Sequence, residues 1–153
     1  PRHIHRTKEI LNEIKKLGLK VHLHESKNNI SNKTDIYLVN SFGQTKSFFK
    51  ICKTIFLGGS IIKHGGQNPL EPVRYGCKIL HGPNVWNFDE IYTLLKKYKI
   101  TSKVYNSKQL FLKVDEMLNE KNKPKNLEHK FINLGNKILN STLKEMNLYI
   151  IKQ

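Results

Sequence analysis

The stretch from Thr54 to Pro72 constrains this chain more than any other. It begins with Thr54-Ile55-Phe56-Leu57, an apolar run of the length and composition of a buried strand. Two glycine pairs follow, Gly58-Gly59 and Gly65-Gly66, which let the backbone turn sharply and approach a ligand closely. Asn68-Pro69-Leu70-Glu71 then has the grammar of a helix start. Asn68 suits the N-cap, Pro69 the first helical position, and Glu71 the reciprocal arm of a capping box. A strand, a glycine loop and a helix N-terminus in succession require an α/β arrangement and form a ready anion site. A lone glycine pair would indicate only a turn, with Glu71 as a cap. Two pairs joined to a capped helix point to a phosphate or nucleotide.

The segment Phe56-Leu57-Gly58-Gly59-Ser60-Ile61, a spacer, and Gly65-Gly66-Gln67-Asn68-Pro69-Leu70-Glu71-Pro72 resembles the donor-site signature of the Kdo transferases. These enzymes attach 3-deoxy-manno-octulosonic acid to lipid A precursors. The family has histidine where this chain has Gln67. Gly76, Gly82-Pro83-Asn84 and Asn87-Phe88 match a further part of the pattern, and the likeness fades beyond about Phe88. The resemblance implies the C-terminal half of a two-domain GT-B glycosyltransferase, a Rossmann-like parallel sheet with flanking helices. It implies CMP-Kdo as donor substrate and no metal or other cofactor. It also implies that the parent protein works at the cytoplasmic face of the bacterial inner membrane, at a membrane surface. In the family Pro-Arg-His follows a core strand, so a chain starting at Pro1 reads as a piece of a larger protein without its N-terminal acceptor domain. The family's general base, a glutamate, lies in that domain. The fragment is therefore expected to bind donor and not to turn over alone, with no catalytic residue of its own.

Three loops are expected to meet at the carboxyl edge of the sheet, where doubly wound folds bind ligands. By the resemblance all three contact the cytidine monophosphate part of the donor. The first contributes Pro1 and Arg2, whose guanidinium fork suits a phosphate. The second contributes Phe42, Gly43 and Gln44, where glycine admits close backbone approach. The third contributes Gly59, Ser60, Asn68, Pro69, Leu70 and Glu71. Glu71 can accept hydrogen bonds from two ribose hydroxyls, and N–H groups at the helix start can face the phosphate. The middle loop departs from the family's Asp-Thr-Met-Gly-Glu: Asn40 and Gln44 replace both acids, keeping hydrogen-bonding capacity and losing charge.

With 153 residues, 38% hydrophobic and 9% aromatic, the chain suits one folded domain. It has no apolar run of membrane-spanning length and no signal-peptide pattern. The net charge of +15 is almost all lysine; Arg2, Arg6 and Arg74 are the only arginines. Nucleic-acid readers favour arginine interleaved with aromatics. Lysine spread among many Asn and Ile residues reads instead as the codon bias of an AT-rich genome and a solvated surface, and no nucleic-acid partner is expected. The densest basic group, Lys96, Lys97, Lys99 and Lys103, suits attraction to anionic lipid or a phosphorylated substrate. Cys52 and Cys77 read as packing residues rather than a disulfide.

Along the chain, spacing predicts helix from about Thr7 to Leu17 with Gly18 ending it, and short strands at Val21–Leu23 and Ile36–Val39. A helix at Thr45–Cys52, the strand at Thr54–Leu57, a helix at Pro69–Tyr75 and a strand at Lys78–Leu80 follow. Phe88–Lys97 reads as helix, Lys103–Tyr105 as strand and Lys108–Asn119 as helix. This alternation predicts a parallel sheet with crossover helices, in a nucleotide-sugar-binding domain over 1–123. A helical segment over 124–153, with Phe131, Leu134, Ile138, Leu143, Met146 and Ile150 at helical spacing, would pack on or beside it.

Other constellations carry less. His3-Ile4-His5 and His22-Leu23-His24 have metal-compatible spacing without supporting Asp or Cys. Ser60 is not in a nucleophile elbow. Trp86 and Phe88 can stack on a base, although burial beside the sheet is expected. Two further readings stay open: a domain of the same architecture using another nucleotide sugar, and a basic RNA- or membrane-binding module.

Overall fold

The computed structural model describes residues 4–24 and 29–119, with two isolated positions at 133 and 144. The expected helical segment over 124–153 otherwise lies outside the described residues. The chain divides into two compact units, Pro1–Phe48 and Phe49–Gln153.

In the first unit a single 3₁₀ turn, Ile4–Arg6, leads into helix α1, Thr7–Lys16. Strands β1 (Val21–Leu23) and β2 (Ile36–Leu38) pair in parallel, with Val21 opposite Ile36 and Leu23 opposite Leu38. The two sequence histidines of β1 and its end are engaged with aromatics. His22 stacks on Tyr37, and His24 Nδ1 lies 2.8 Å from the Tyr37 hydroxyl. Among the described residues no group of three or more His, Cys, Asp or Glu is placed to hold a metal ion. Helix α2, Thr45–Ile51, contains the division between the units.

The second unit holds β3 (Thr54–Leu57), α3 (Leu70–Arg74), β4 (Lys78–His81), α4 (Asp89–Lys97), β5 (Thr101–Lys103) and α5 (Ser107–Asn119). Its sheet has the order β3-β4-β5, all parallel. Parallel strands need crossover connections, and here α3 and α4 supply them. Ile79 and Leu80 of the central strand are fully buried, and Val73, Val85, Tyr92, Leu95 and Ile100 close the core around the Ile79 side. The expected α/β alternation with parallel pairing is therefore present throughout the described residues.

Three helices end in the same way. After α1, α3 and α4 the chain turns through Gly18, Gly76 and Lys99, all at positive φ. The next N–H in each case reaches back to the helix: Leu19 to Ile14, Cys77 to Pro72 and Ile100 to Leu95. This is the Schellman pattern, in which glycine is the usual left-handed residue. Lys99 fills that position at φ 57 without being glycine, and α4 ends at Lys97, where the spacing placed its end. The tight turn drops Ile100 straight into the core, 1% exposed. It also brings β5 forward to Thr101–Lys103, two residues before the expected Lys103–Tyr105.

Cys77 is buried, and its thiol donates to the carbonyls of Phe49 (3.3 Å) and Cys52 (3.1 Å); Cys52 itself is exposed. Burial, and then the neighbouring Cys52, push the Cys77 thiol from 9.0 up to about 11. A raised thiol pKa means that the unfolded chain ionises first. The contribution of Cys77 to stability is full below about pH 9 and falls as pH rises toward 11. A neutral-pH alkylation with a thiol reagent is expected to modify Cys52 alone, and Cys77 only after denaturant is added. Mass spectrometry of the labelled peptides checks this.

Candidate nucleotide site at the glycine loop

The glycine loop leaves β3 at its carboxyl end and runs to α3. Gly59, Gly65 and Gly66 all have φ between 68 and 78. Gly65 and Gly66 are buried beneath Val85, Trp86 and Asn87, and side chains there would collide with Asn87 and crowd Val85. The loop is fastened at several points. Gly66 N–H donates to Gly59 O, Asn87 N–H to Gly65 O, and the Tyr92 hydroxyl to Gln67 O at 3.0 Å. Trp86, expected to be buried, is 56% exposed because it lies over Gly65 at the surface rather than beneath the sheet. Phe88 packs against the core as expected.

Ser60 is the centre of this fastening. It is fully buried; its hydroxyl donates to Leu57 O at 2.6 Å and accepts from Gly82 N–H at 2.8 Å. Its carbonyl accepts from Asn84 N–H, while Asn84 Nδ2 donates to Ile61 O, both at 2.8 Å. The Gly82-Pro83-Asn84 loop and the glycine loop are thus one hydrogen-bonded body. The Ser60 side chain is committed inside the fold, so only its main chain can face a ligand. Of the two hydroxyl partners Leu57 is local, but Gly82 lies 22 residues away, beyond the reach of local sequence reasoning.

The helix start is narrower as an anion site than the sequence implied. Pro69 has helical φ and ψ of −83° and −12°, and Asn68 Oδ1 accepts from Leu70 N–H at 3.0 Å. Asn68 therefore caps α3 as expected. Pro69 and Pro72 have no N–H, Leu70 N–H is held by Asn68, and Val73 N–H bonds Pro69 O. Of the first-turn donors only the Glu71 N–H is without a partner among the described residues. Pro69 is buried, whereas Asn68, Leu70 and Glu71 are exposed. The Glu71 carboxylate makes no bond to the Asn68 N–H among these residues, so the expected capping box has only its Asn68 half. The carboxylate is left facing solvent.

In the first unit, Phe42 is 75% exposed and Gly43 has φ 80. The Gln44 carbonyl accepts from Ser47 and Phe48 N–H, so this loop opens α2 as the glycine loop opens α3. The Ser41 hydroxyl beside them is buried without a partner among the described residues. Pro1 and Arg2 lie outside the described residues. The structure thus brings Gly59, Ser60, Asn68, Pro69, Leu70 and Glu71 together on one loop-and-helix body of the second unit. Phe42, Gly43 and Gln44 form their own loop in the first.

No protein-family model matches the chain. A 3-deoxy-D-manno-octulosonic acid transferase of Haemophilus influenzae is 34% identical over 96 residues, covering 62% of this chain and 22% of that protein. The corresponding transferase of Rickettsia typhi is 31% identical over 149 residues, covering 94% of this chain and 32% of the relative. A bifunctional glycosyltransferase/methyltransferase of Fusobacterium nucleatum is 32% identical over 124 residues, 80% of this chain and 19% of its own length. Among solved structures, the crystal structure of the C-terminal CMP-Kdo binding domain of WaaA from Acinetobacter baumannii matches with TM-score 0.75 and 26% identity. It covers 84% of this chain and 66% of that one. The chain spans between 19% and 35% of the length of the curated relatives it matches.

Parallel strands, crossover helices and a glycine loop fastened to a helix start, together with these likenesses, define a Rossmann-like α/β domain of the glycosyltransferase class. Within that class the chain is similar to the Kdo transferases, and its fold matches the C-terminal CMP-Kdo binding domain of one of them.

Proposed function

We propose that this chain is the donor-binding domain of a Kdo transferase and that it holds CMP-Kdo at the glycine loop. The observation that carries this reading is the likeness to a CMP-Kdo binding domain, combined with an exposed Glu71 and one unpartnered N–H at the start of α3. Glu71 accepts two ribose hydroxyls, and the Glu71 N–H with Arg2 receives the phosphate. Phe42, Gly43 and Gln44 complete the nucleotide contacts, with Gln44 as a neutral partner. No metal or organic cofactor takes part; CMP-Kdo is substrate.

The parent enzyme transfers Kdo to a lipid A precursor for lipopolysaccharide, at the cytoplasmic face of the inner membrane. The general base and the acceptor site belong to a further domain, so this chain alone binds without turnover. Among the described residues no helix is long and apolar enough to cross a membrane.

Titration calorimetry with cytidine and uridine monophosphates tests the reading. Cytidine monophosphate is expected to bind and uridine monophosphate to bind less; absence of heat with either, on folded protein, would overturn it. Glu71→Gln is expected to weaken cytidine monophosphate binding about tenfold, the equivalent of roughly 1.4 kcal/mol. Since Glu71 makes no intramolecular bond among the described residues, its melting temperature should be unchanged. Unaltered affinity would remove Glu71 from the site.

A further inference from the structure

A polar cavity of about 130 Å³ lies between α4 and strands β4 and β5, sharing Val85 and Tyr92 with the wall behind the glycine loop. Its floor is made by His81, Tyr92 and Thr101, each at least nine-tenths buried. Lys96 from α4, Lys103 from β5 and Asp89 from the first turn of α4, all exposed residues, also line the cavity. We propose that this cavity binds inorganic phosphate in a protonated form.

The charges favour an anion. Two lysines line the cavity against one carboxylate, and none of the three forms an ion pair among the described residues. The cavity has room for a small oxyanion with a water or two. The hydrogen-bonding pattern then selects among anions. His81 Nδ1 lies 2.7 Å from Gly82 O, and a carbonyl only accepts, so Nδ1 carries the proton. In the neutral ring this leaves Nε2 as an acceptor. Burial, the largest influence, lowers the His81 pKa and keeps the ring neutral; Lys103 acts in the same direction, and the bond to Gly82 opposes them. Tyr92 holds the imidazole from one side at a ring separation of 4.3 Å, while its hydroxyl is occupied by Gln67.

The cavity thus presents donors in Lys96 and Lys103, acceptors in His81 and Asp89, and in Thr101 a buried hydroxyl with no partner among the described residues. Sulfate at neutral pH offers acceptors only and would leave His81 and Asp89 facing lone pairs. Both neutral-pH forms of inorganic phosphate keep at least one P–OH. That proton can satisfy His81 or Asp89 while the charged oxygens meet the lysines. A phosphate monoester has lost most of its P–OH at neutral pH and adds bulk.

The test is a two-dimensional amide NMR titration of the 153-residue chain at neutral pH and constant ionic strength, with inorganic phosphate, sulfate and glycerol phosphate. Phosphate is expected to shift Thr101 and Lys103 saturably, and to bind about tenfold more tightly than either of the others. Lys103→Met and Thr101→Val should each weaken phosphate binding severalfold without lowering the melting temperature. Both should leave cytidine monophosphate binding unchanged, since neither residue belongs to the glycine-loop body. Equal affinity for sulfate would reduce the cavity to an unselective basic patch and overturn the proposal. Equal affinity for glycerol phosphate would overturn the assignment to the free ion. So would the absence of a saturable shift, or unchanged phosphate binding in both variants.

Discussion

Replacing Gly82 with alanine is expected to destabilise the chain by about 3 kcal/mol or more, the largest effect of any single methyl addition considered. The added carbon would fall on the Ser60 carbonyl group and the Ile61 nitrogen. These are backbone atoms; the Ser60 carbonyl oxygen accepts from Asn84 N–H, while Gly82 N–H ties the Ser60 hydroxyl beside them. A flexible side chain could swing aside, whereas here two loops must part. The φ of Gly82 is not in the left-handed region, so the loss is purely one of close approach. A denaturant melt on the purified variant measures it. Alanine at Gly58, where nothing lies within 4 Å, is the control and should change little.

Ser60→Ala is expected to lower stability by about 2 kcal/mol, because it leaves the buried Gly82 N–H without an acceptor and frees the Leu57 carbonyl. For a chain of this size the loss corresponds to a fall in melting temperature of about 4–8 °C. Ser60→Cys, close in size and a weak acceptor, should recover part of it. Nucleotide affinity, measured well below the melting transition, should fall less than it does in Glu71→Gln. A Ser60→Ala variant that melts like the parent but no longer binds cytidine monophosphate would return the hydroxyl to the ligand.

The contrast between these two residues shows what local sequence could and could not reveal. Asn68 and Pro69 were legible because a cap acts over two residues, and the Oδ1 bond to Leu70 is present. The strand at Thr54–Leu57 was legible because its apolar run ends in glycine on one side. The internal role of the Ser60 hydroxyl was not legible because one of its two partners, Gly82 N–H, is brought to it by tertiary structure. The supply of N–H groups at α3 was overestimated for a different reason. The same prolines that mark the helix start remove its donors, and both effects are in the sequence. Lys96 and Lys103 were legible as part of a basic cluster suited to a phosphorylated group, but their meeting with His81 and Thr101 was not, because a helix and two strands bring those residues to one cavity.

The fastening of the glycine loop has a thermodynamic corollary. The loop's main-chain bonds to Asn84 and Asn87, and the Tyr92 bond to Gln67, form when the chain folds. A nucleotide reaching this wall finds the donor and acceptor directions already set. The entropy of ordering has been lost earlier, in folding, and the penalty on association is reduced accordingly. Binding here should therefore show only a small heat-capacity change, reflecting the base and little else, with an association rate governed by diffusion and charge rather than by loop rearrangement.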